Sequence, residues 1–171
     1  TLETHLIDFG IARRLGSAAH AGHGPSGAVD GTLHYIAPEQ TGRMNRGCDA
    51  RSDLYSLGAT LYHALTGAPP FPAKDPLELI HAHIARLPAP PKQLRPDLPD
   101  VLWDLVLKLL RKEPEERYRS ASALLADLCA CRDQLERTGA IAPFELGRAD
   151  AAEGLRFGTR LYGREPEIAL L

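Results

Sequence analysis

Cysteine is nearly missing from this chain: Cys48, Cys129 and Cys131 are the three among 171 residues. Three do not build a disulfide framework. Cys129 and Cys131 lie two apart, which on a helix turns them to different faces, and a metal site would need more Cys or His in register. They read as small, reduced, partly buried side chains of a cytosolic protein. An excess of one charge sign is missing too. The formal net charge is -2, which leaves no electrostatic footprint for nucleic acid or for an acidic membrane surface. No apolar run approaches the ~20 residues that a membrane span requires. The first residues carry no basic stretch followed by an apolar one, so no export signal is visible and the expected location is cytoplasmic. What is present is 44% hydrophobic residues in a length that fits one ordinary domain, enough to build a core.

The chain is organised around residues 8–39. A short apolar lead, His5-Leu6-Ile7, reads as a strand ending at Asp8-Phe9-Gly10. Residues 16–31 are glycine-dotted among Ser, Ala and His, a composition that cannot bury a core and reads as a mobile loop. The stretch closes with Gly31-Thr32-Leu33-His34-Tyr35-Ile36-Ala37-Pro38-Glu39. Asp-Phe-Gly followed by Ala-Pro-Glu, with a flexible segment between, is the activation-segment pattern of protein kinases. Over roughly its first 135 residues the chain resembles a eukaryotic-type serine/threonine protein kinase.

The resemblance implies a role for each motif residue. ATP phosphates are neutralised by magnesium, a hard cation that prefers oxygen ligands, so a carboxylate is needed at Asp8. Phe9 would pack to set the active or inactive arrangement, Gly10 would let the segment swing, and Ile7 would line the floor of the adenine pocket. Thr32 would hydrogen-bond the aspartate and lysine of a catalytic loop. With no tyrosine-kinase-like proline run nearby, it favours serine/threonine substrates. Asp53, in Asp53-Leu54-Tyr55-Ser56-Leu57-Gly58, would accept backbone hydrogen bonds from that loop. Arg117, in Glu113-Pro114-Glu115-Glu116-Arg117-Tyr118, would form a buried ion pair with Glu39.

The remaining sequence reads as helices. Ser52 or Asp53 is the expected cap of one that carries Leu54, Leu57, Leu61 and Leu65 and stops at Gly67, apolar nearly all round and therefore central. Asp75-Pro76 opens a second, with Leu77, Ile80 and Ile84 on its apolar face and His81 and His83 solvated or at the core edge. A proline-rich connection over residues 88–99 follows. Val101, Leu102, Leu105, Val106, Leu109 and Leu110 form the stripe of a third helix, with Trp103 on its flank. Lys108, Arg111 and Lys112 suit that helix's negative end. Ser120 or Ser122 caps a last helix carrying Leu124, Leu125, Leu128, Cys129 and Leu135 before Gly139.

The expected fold class is mainly α, the carboxy-terminal lobe of a protein kinase, with the small lobe and catalytic loop absent. Residues 1–137 are expected to be the kinase part, 138–158 a linker, and 159–171 the start of an AAA-type ATPase module. Gly163-Arg164-Glu165 resembles the entry to such a module, although the chain holds no phosphate-binding Gly-x-x-x-x-Gly-Lys loop. The combination resembles large bacterial signalling proteins that join a serine/threonine kinase, an ATPase and a sensor histidine kinase. The implied activity is ATP- and Mg2+-dependent phosphorylation of protein Ser/Thr in signal transduction. The partners are a protein substrate and downstream ATPase and sensor modules, with no nucleic acid and no membrane span. The glycine-rich loop, strand lysine and His-Arg-Asp loop are not in this sequence, so the chain alone is expected not to transfer phosphate. The alternative is an inactive kinase-like interaction module that regulates a downstream ATPase or histidine kinase.

Overall fold

The computed structural model describes residues 33–153, which are mainly helical and hold no strand. Two short 3-10 turns, Leu33–Tyr35 and Pro38–Thr41, lead into six helices. These are α1 (Ala50–Thr66), α2 (Pro76–Ala85), α3 (Pro91–Leu94), α4 (Asp100–Leu109), α5 (Ala121–Thr138) and α6 (Arg148–Glu153). The expected strand before Asp8 and the loop over residues 16–31 lie outside the described residues.

The cap of α1 is Asp49, rather than Ser52 or Asp53. Its carboxylate accepts the Arg51 amide at 2.8 Å, and the Arg51 guanidinium folds back onto it at 2.7 Å. Ser52 lies inside the first turn of α1, and its hydroxyl donates to Glu39 at 2.7 Å. Asp53 sits exposed in the first turn, where a carboxylate suits the helix's positive end. Gly67 ends the helix at φ 80°, a left-handed conformation that glycine adopts without a Cβ penalty. Asp75 and Ser120 cap α2 and α5 as their sequences predict, accepting the Glu78 and Ala123 amides at 2.8 and 3.2 Å.

Helix α1 runs through the centre, but it buries its small and aromatic face: Leu54, Tyr55, Gly58, Ala59 and Tyr62. Leu57, expected inside, is 40% exposed among the described residues. Close approach decides the face. A Cβ placed on Gly58 would stand 2.6 Å from the Leu109 Cβ of α4, so the two backbones meet where one residue has no side chain. In an exposed helix Gly→Ala would gain about 1 kcal/mol. Here overpacking costs about 1–3 kcal/mol, and the clash involves a Cβ that cannot swing away. Gly58→Ala should therefore lower the midpoint of urea unfolding, with Gly58→Val lower still. An unchanged or raised midpoint would mean that α1 and α4 do not cross here.

The other helices also bury faces that the leucine spacing misjudges. In α2 the buried residues are Leu79, Ile80, Ala82 and His83, and Leu77 is exposed. In α4 Trp103 lies inside rather than on the flank, against Tyr62 and with its indole N–H donating to the Arg95 carbonyl. In α5 Leu125 and Leu135 are exposed, while Ala123, Leu124, Asp127 and Cys131 are buried. Asp127 is satisfied by the Tyr118 hydroxyl and the Gly147 amide, both at 2.7 Å. Asp150 at the start of α6 accepts the Arg119 amide at 3.1 Å. Part of the stretch read as linker is thus fastened to α5 and to the turn before it.

Candidate functional site

Glu39 and Arg117 are 78 positions apart in sequence and meet in the interior, with side-chain exposures of 1% and 0%. The pair is bidentate: Nη1 donates to Oε1 at 2.7 Å and Nη2 to Oε2 at 2.9 Å. A guanidinium has five N–H donors in a fixed fork, and all are used. Nε donates to the Arg111 carbonyl at 2.8 Å, Nη1 to that of Arg51 at 3.1 Å, and Nη2 to that of Lys112 at 2.9 Å. One side chain thereby ties the Pro38–Thr41 turn, the start of α1 and the segment after α4. Burial by itself raises the Glu39 carboxyl. Hydrogen bonds from Arg117 and Ser52 outweigh it and hold the group below the usual carboxylate range.

The ion pair opens into an aromatic and basic layer. The Arg117 guanidinium lies 4.9 Å from the centre of the Tyr55 ring, a cation–π distance. The Tyr55 hydroxyl meets Nδ1 of His83 at 2.9 Å. His83 packs edge-on against Phe71, ring centres 5.0 Å apart, and Phe71 carries the Lys112 ammonium 4.4 Å from its centre. Lys112 does not serve the end of α4, as its position after that helix suggests. It donates to the carbonyls of Ala82 and His83 at 3.3 and 2.8 Å, closing the C-terminus of α2 instead. Burial, then the nearby Arg117 charge, bring its ammonium down to about 8. The Leu33–Tyr35 turn is tied to α1, where the Tyr35 hydroxyl meets Nδ1 of His63 at 2.7 Å.

His83 is fully buried, against the expectation of a solvated or edge position; His81, two residues earlier, is exposed. Burial first, then the Lys112 and His34 charges, push the imidazole down to about 4. A base depressed in the folded state stays neutral there while its unfolded counterpart takes up a proton. Its contribution is therefore complete above the ordinary value of 6.5 and is lost as pH falls from there toward about 4. The full span corresponds to on the order of 3 kcal/mol. Between pH 7 and pH 4 the wild type should lose more unfolding free energy than His83→Gln, the difference isolating His83 from the carboxylates that titrate alongside it. Parallel losses would show that the ring is not held neutral.

Of the residues singled out in the sequence, Glu39 and Arg117 are brought together, and Asp53 stays on the exposed first turn of α1. Ile7, Asp8, Phe9, Gly10 and Thr32 lie outside the described residues. Sequence reasoning missed Tyr55, His83 and Lys112, for which no local signal exists. Among the described residues no group of three or more His, Cys, Asp or Glu could hold a metal, and no helix is long and apolar enough to cross a membrane.

The sequence is similar to that of known proteins. Residues 1–128 match the family described as the protein kinase domain, and the chain belongs to that family. It is 37% identical over 158 residues, 86% of its length, to the serine/threonine-protein kinase PknB of Mycolicibacterium smegmatis. It is 42% identical over 123 residues, 72% of its length, to PknB of Mycobacterium leprae. A hybrid signal transduction histidine kinase, G, of Dictyostelium discoideum is 36% identical over 157 residues, 80% of the chain. The matched parts make up 25%, 19% and 5% of those proteins, so the chain spans a quarter of them or less.

Proposed function

We propose that this chain is part of a serine/threonine protein kinase that transfers the γ-phosphate of ATP to protein hydroxyls in signal transduction. The observation that carries the reading is the buried Glu39–Arg117 pair, with all five guanidinium donors used, in a chain whose residues 1–128 match the protein kinase domain. It fixes the Pro38–Thr41 turn, at the chain end of the stretch that would receive the residue next to the phosphorylated one. The printed names of the PknB relatives favour Ser/Thr over Tyr. Thr32 would sit beside the reacting hydroxyl, and Ile7, Phe9 and Gly10 beside the nucleotide. By the resemblance of Asp8-Phe9-Gly10 to the kinase motif, Asp8 would hold the metal. Bound there, Mg2+ would neutralise the phosphate charge that builds as the hydroxyl O–P bond forms and the bond to the ADP oxygen breaks.

A multidomain parent with ATPase and sensor modules is part of the same proposal, supported by the hybrid histidine kinase relative and the Gly163-Arg164-Glu165 tail. In the full-length protein, labelled ATP with Mg2+ should yield phosphoserine or phosphothreonine on a basic protein substrate, and chelation should abolish it. Label on tyrosine alone would overturn the specificity. ATP binding without transfer would replace the kinase reading by that of an interaction module.

A further inference from the structure

Three consecutive residues between α4 and α5 are each held by a different segment. Arg117 reaches Glu39 through its guanidinium, and the Tyr118 hydroxyl donates to Asp127 of α5 at 2.7 Å. The Arg119 amide donates to both carboxylate oxygens of Asp150 at 3.1 Å. The backbone here is extended, with φ -79° and ψ -178° at Arg117 and φ -144° and ψ 156° at Ser120. An extended run has no helical partner for its amides, so an acceptor must come from elsewhere. Asp150 supplies it from α6, although the family match ends at residue 128.

Residues 139–153 are arranged to bring that carboxylate there. Gly139 ends α5 at φ 72°, and the Ala142 amide donates back to Gln134 of α5 at 3.0 Å. Leu146 and Ala149 pack against the buried cluster that holds Leu54, Leu105, Leu109 and Tyr118. Gly147, at φ 80°, passes Lys108 of α4 and donates its amide to Asp127 at 2.7 Å. A Cβ there would lie 3.2 Å from Lys108 Cε and 3.5 Å from an Asp150 oxygen, so cation and carboxylate flank the glycine. A buried carboxylate is costly unless it is hydrogen-bonded. Asp127 and Asp150 are both buried, and both serve this junction.

We propose that residues 139–153 are a strap of the kinase lobe, and that Asp127 and Asp150 are positioning residues. They hold Tyr118 and Arg119 in place so that Arg117 stays aimed at Glu39. Arg117 and Arg119 are two residues apart, a span of about 7 Å, so a displacement at Asp150 reaches Arg117 with little chain to absorb it. Through Glu39 the strap sets the Pro38–Thr41 turn at the end of the substrate-receiving stretch, and it acts on substrate binding without touching substrate. This deepens the kinase reading and rests on it for its activity arm.

The test is made in the full-length protein. Asp150→Ala removes the acceptor, while Asp150→Asn keeps a carbonyl oxygen for the Arg119 amide. Asp150→Ala should raise the KM for a Ser/Thr peptide about fivefold, the effect of one lost hydrogen bond, with kcat and the KM for ATP within about twofold. Asp150→Asn should return the peptide KM to within about twofold of wild type. Hydrogen exchange gives a readout independent of phosphate transfer. Amides of residues 39–41 should exchange about tenfold faster in Asp150→Ala than in wild type, with those of α2 unchanged. Gly147→Ala and Gly67→Ala keep the test readable where Asp150→Ala does not fold. Both glycines sit at φ 80° and meet the same backbone strain on substitution, but only Gly147 lies in the strap. Gly147→Ala alone should raise the peptide KM and the exchange of residues 39–41. An unmoved peptide KM and unmoved exchange in Asp150→Ala, an Asp150→Asn no better than Asp150→Ala, or equal effects of the two glycine variants would overturn the proposal. So would faster exchange in all the helices together, which would make Asp150 merely structural. If no protein transfers phosphate but the exchange difference is present, the kinase reading fails and the strap stands.

Discussion

Arg117→Ala is expected to destabilise the protein by on the order of 3–5 kcal/mol, the cost of stranding a buried charge. The substitution leaves the Glu39 carboxylate without its bidentate partner and the carbonyls of Arg51, Arg111 and Lys112 without donors. Only the Ser52 hydroxyl remains on Glu39. Lysine is no rescue, because an ammonium has three donors and cannot reproduce a planar fork that serves five oxygen contacts. Glu39→Ala should cost a similar amount by stranding the guanidinium, which still keeps its three carbonyls. The double variant Glu39→Ala/Arg117→Ala should be no worse than the more damaging single one, since neither charge is then left alone. Urea unfolding of the four proteins checks this. Single variants within about 1 kcal/mol of wild type would mean that water reaches the pair and the site is open.

Asp8→Asn is expected to lower transfer by at least about a thousandfold, with protein stability nearly unchanged. The side chain keeps its shape and loses its charge, which separates the two roles a carboxylate could have there. A hard divalent cation binds anionic oxygen, and an amide oxygen is a weaker ligand. If Asp8 were only a turn residue, Asn would be among the best replacements, since both side chains bond the following backbone in turns. Activity retained by Asp8→Asn would therefore remove the metal role, and a large stability loss would point to a structural one. The measurement belongs in the full-length protein, with labelled phosphate transfer and thermal unfolding read on the same samples.

These two residues also mark how far the sequence could be read. The pairing of Glu39 with Arg117 was legible because both ends lie in motifs with a fixed order, and the ion pair forms where the motifs imply. The helices were legible from their punctuation: Asp75-Pro76 and Ser120 at starts, Gly67 and Gly139 at ends. The buried faces were not. Counting leucines placed Leu57, Leu77, Leu125 and Leu135 inside, yet they are exposed among the described residues, while Ser52, His83 and Asp127 are buried. A polar side chain can be buried only where partners are supplied. Those partners come from distant segments: Glu39 for Ser52, Tyr55 for His83, Tyr118 and Gly147 for Asp127.

By itself, the sequence determined the membership of the family, the order of its helices and the two ends of the ion pair, because motif order, caps and glycine stops act within a few residues of where they are written. The tertiary structure alone decided that Asp49 and not Ser52 caps α1, that Lys112 closes α2, and that His83 is buried against Tyr55 and Phe71. Each depends on which groups are brought within about 3 Å of one another across the fold. Helical periodicity names the faces a helix could bury, but packing chooses among them. Here the choice was made by Gly58, whose missing side chain lets α4 approach α1 closely.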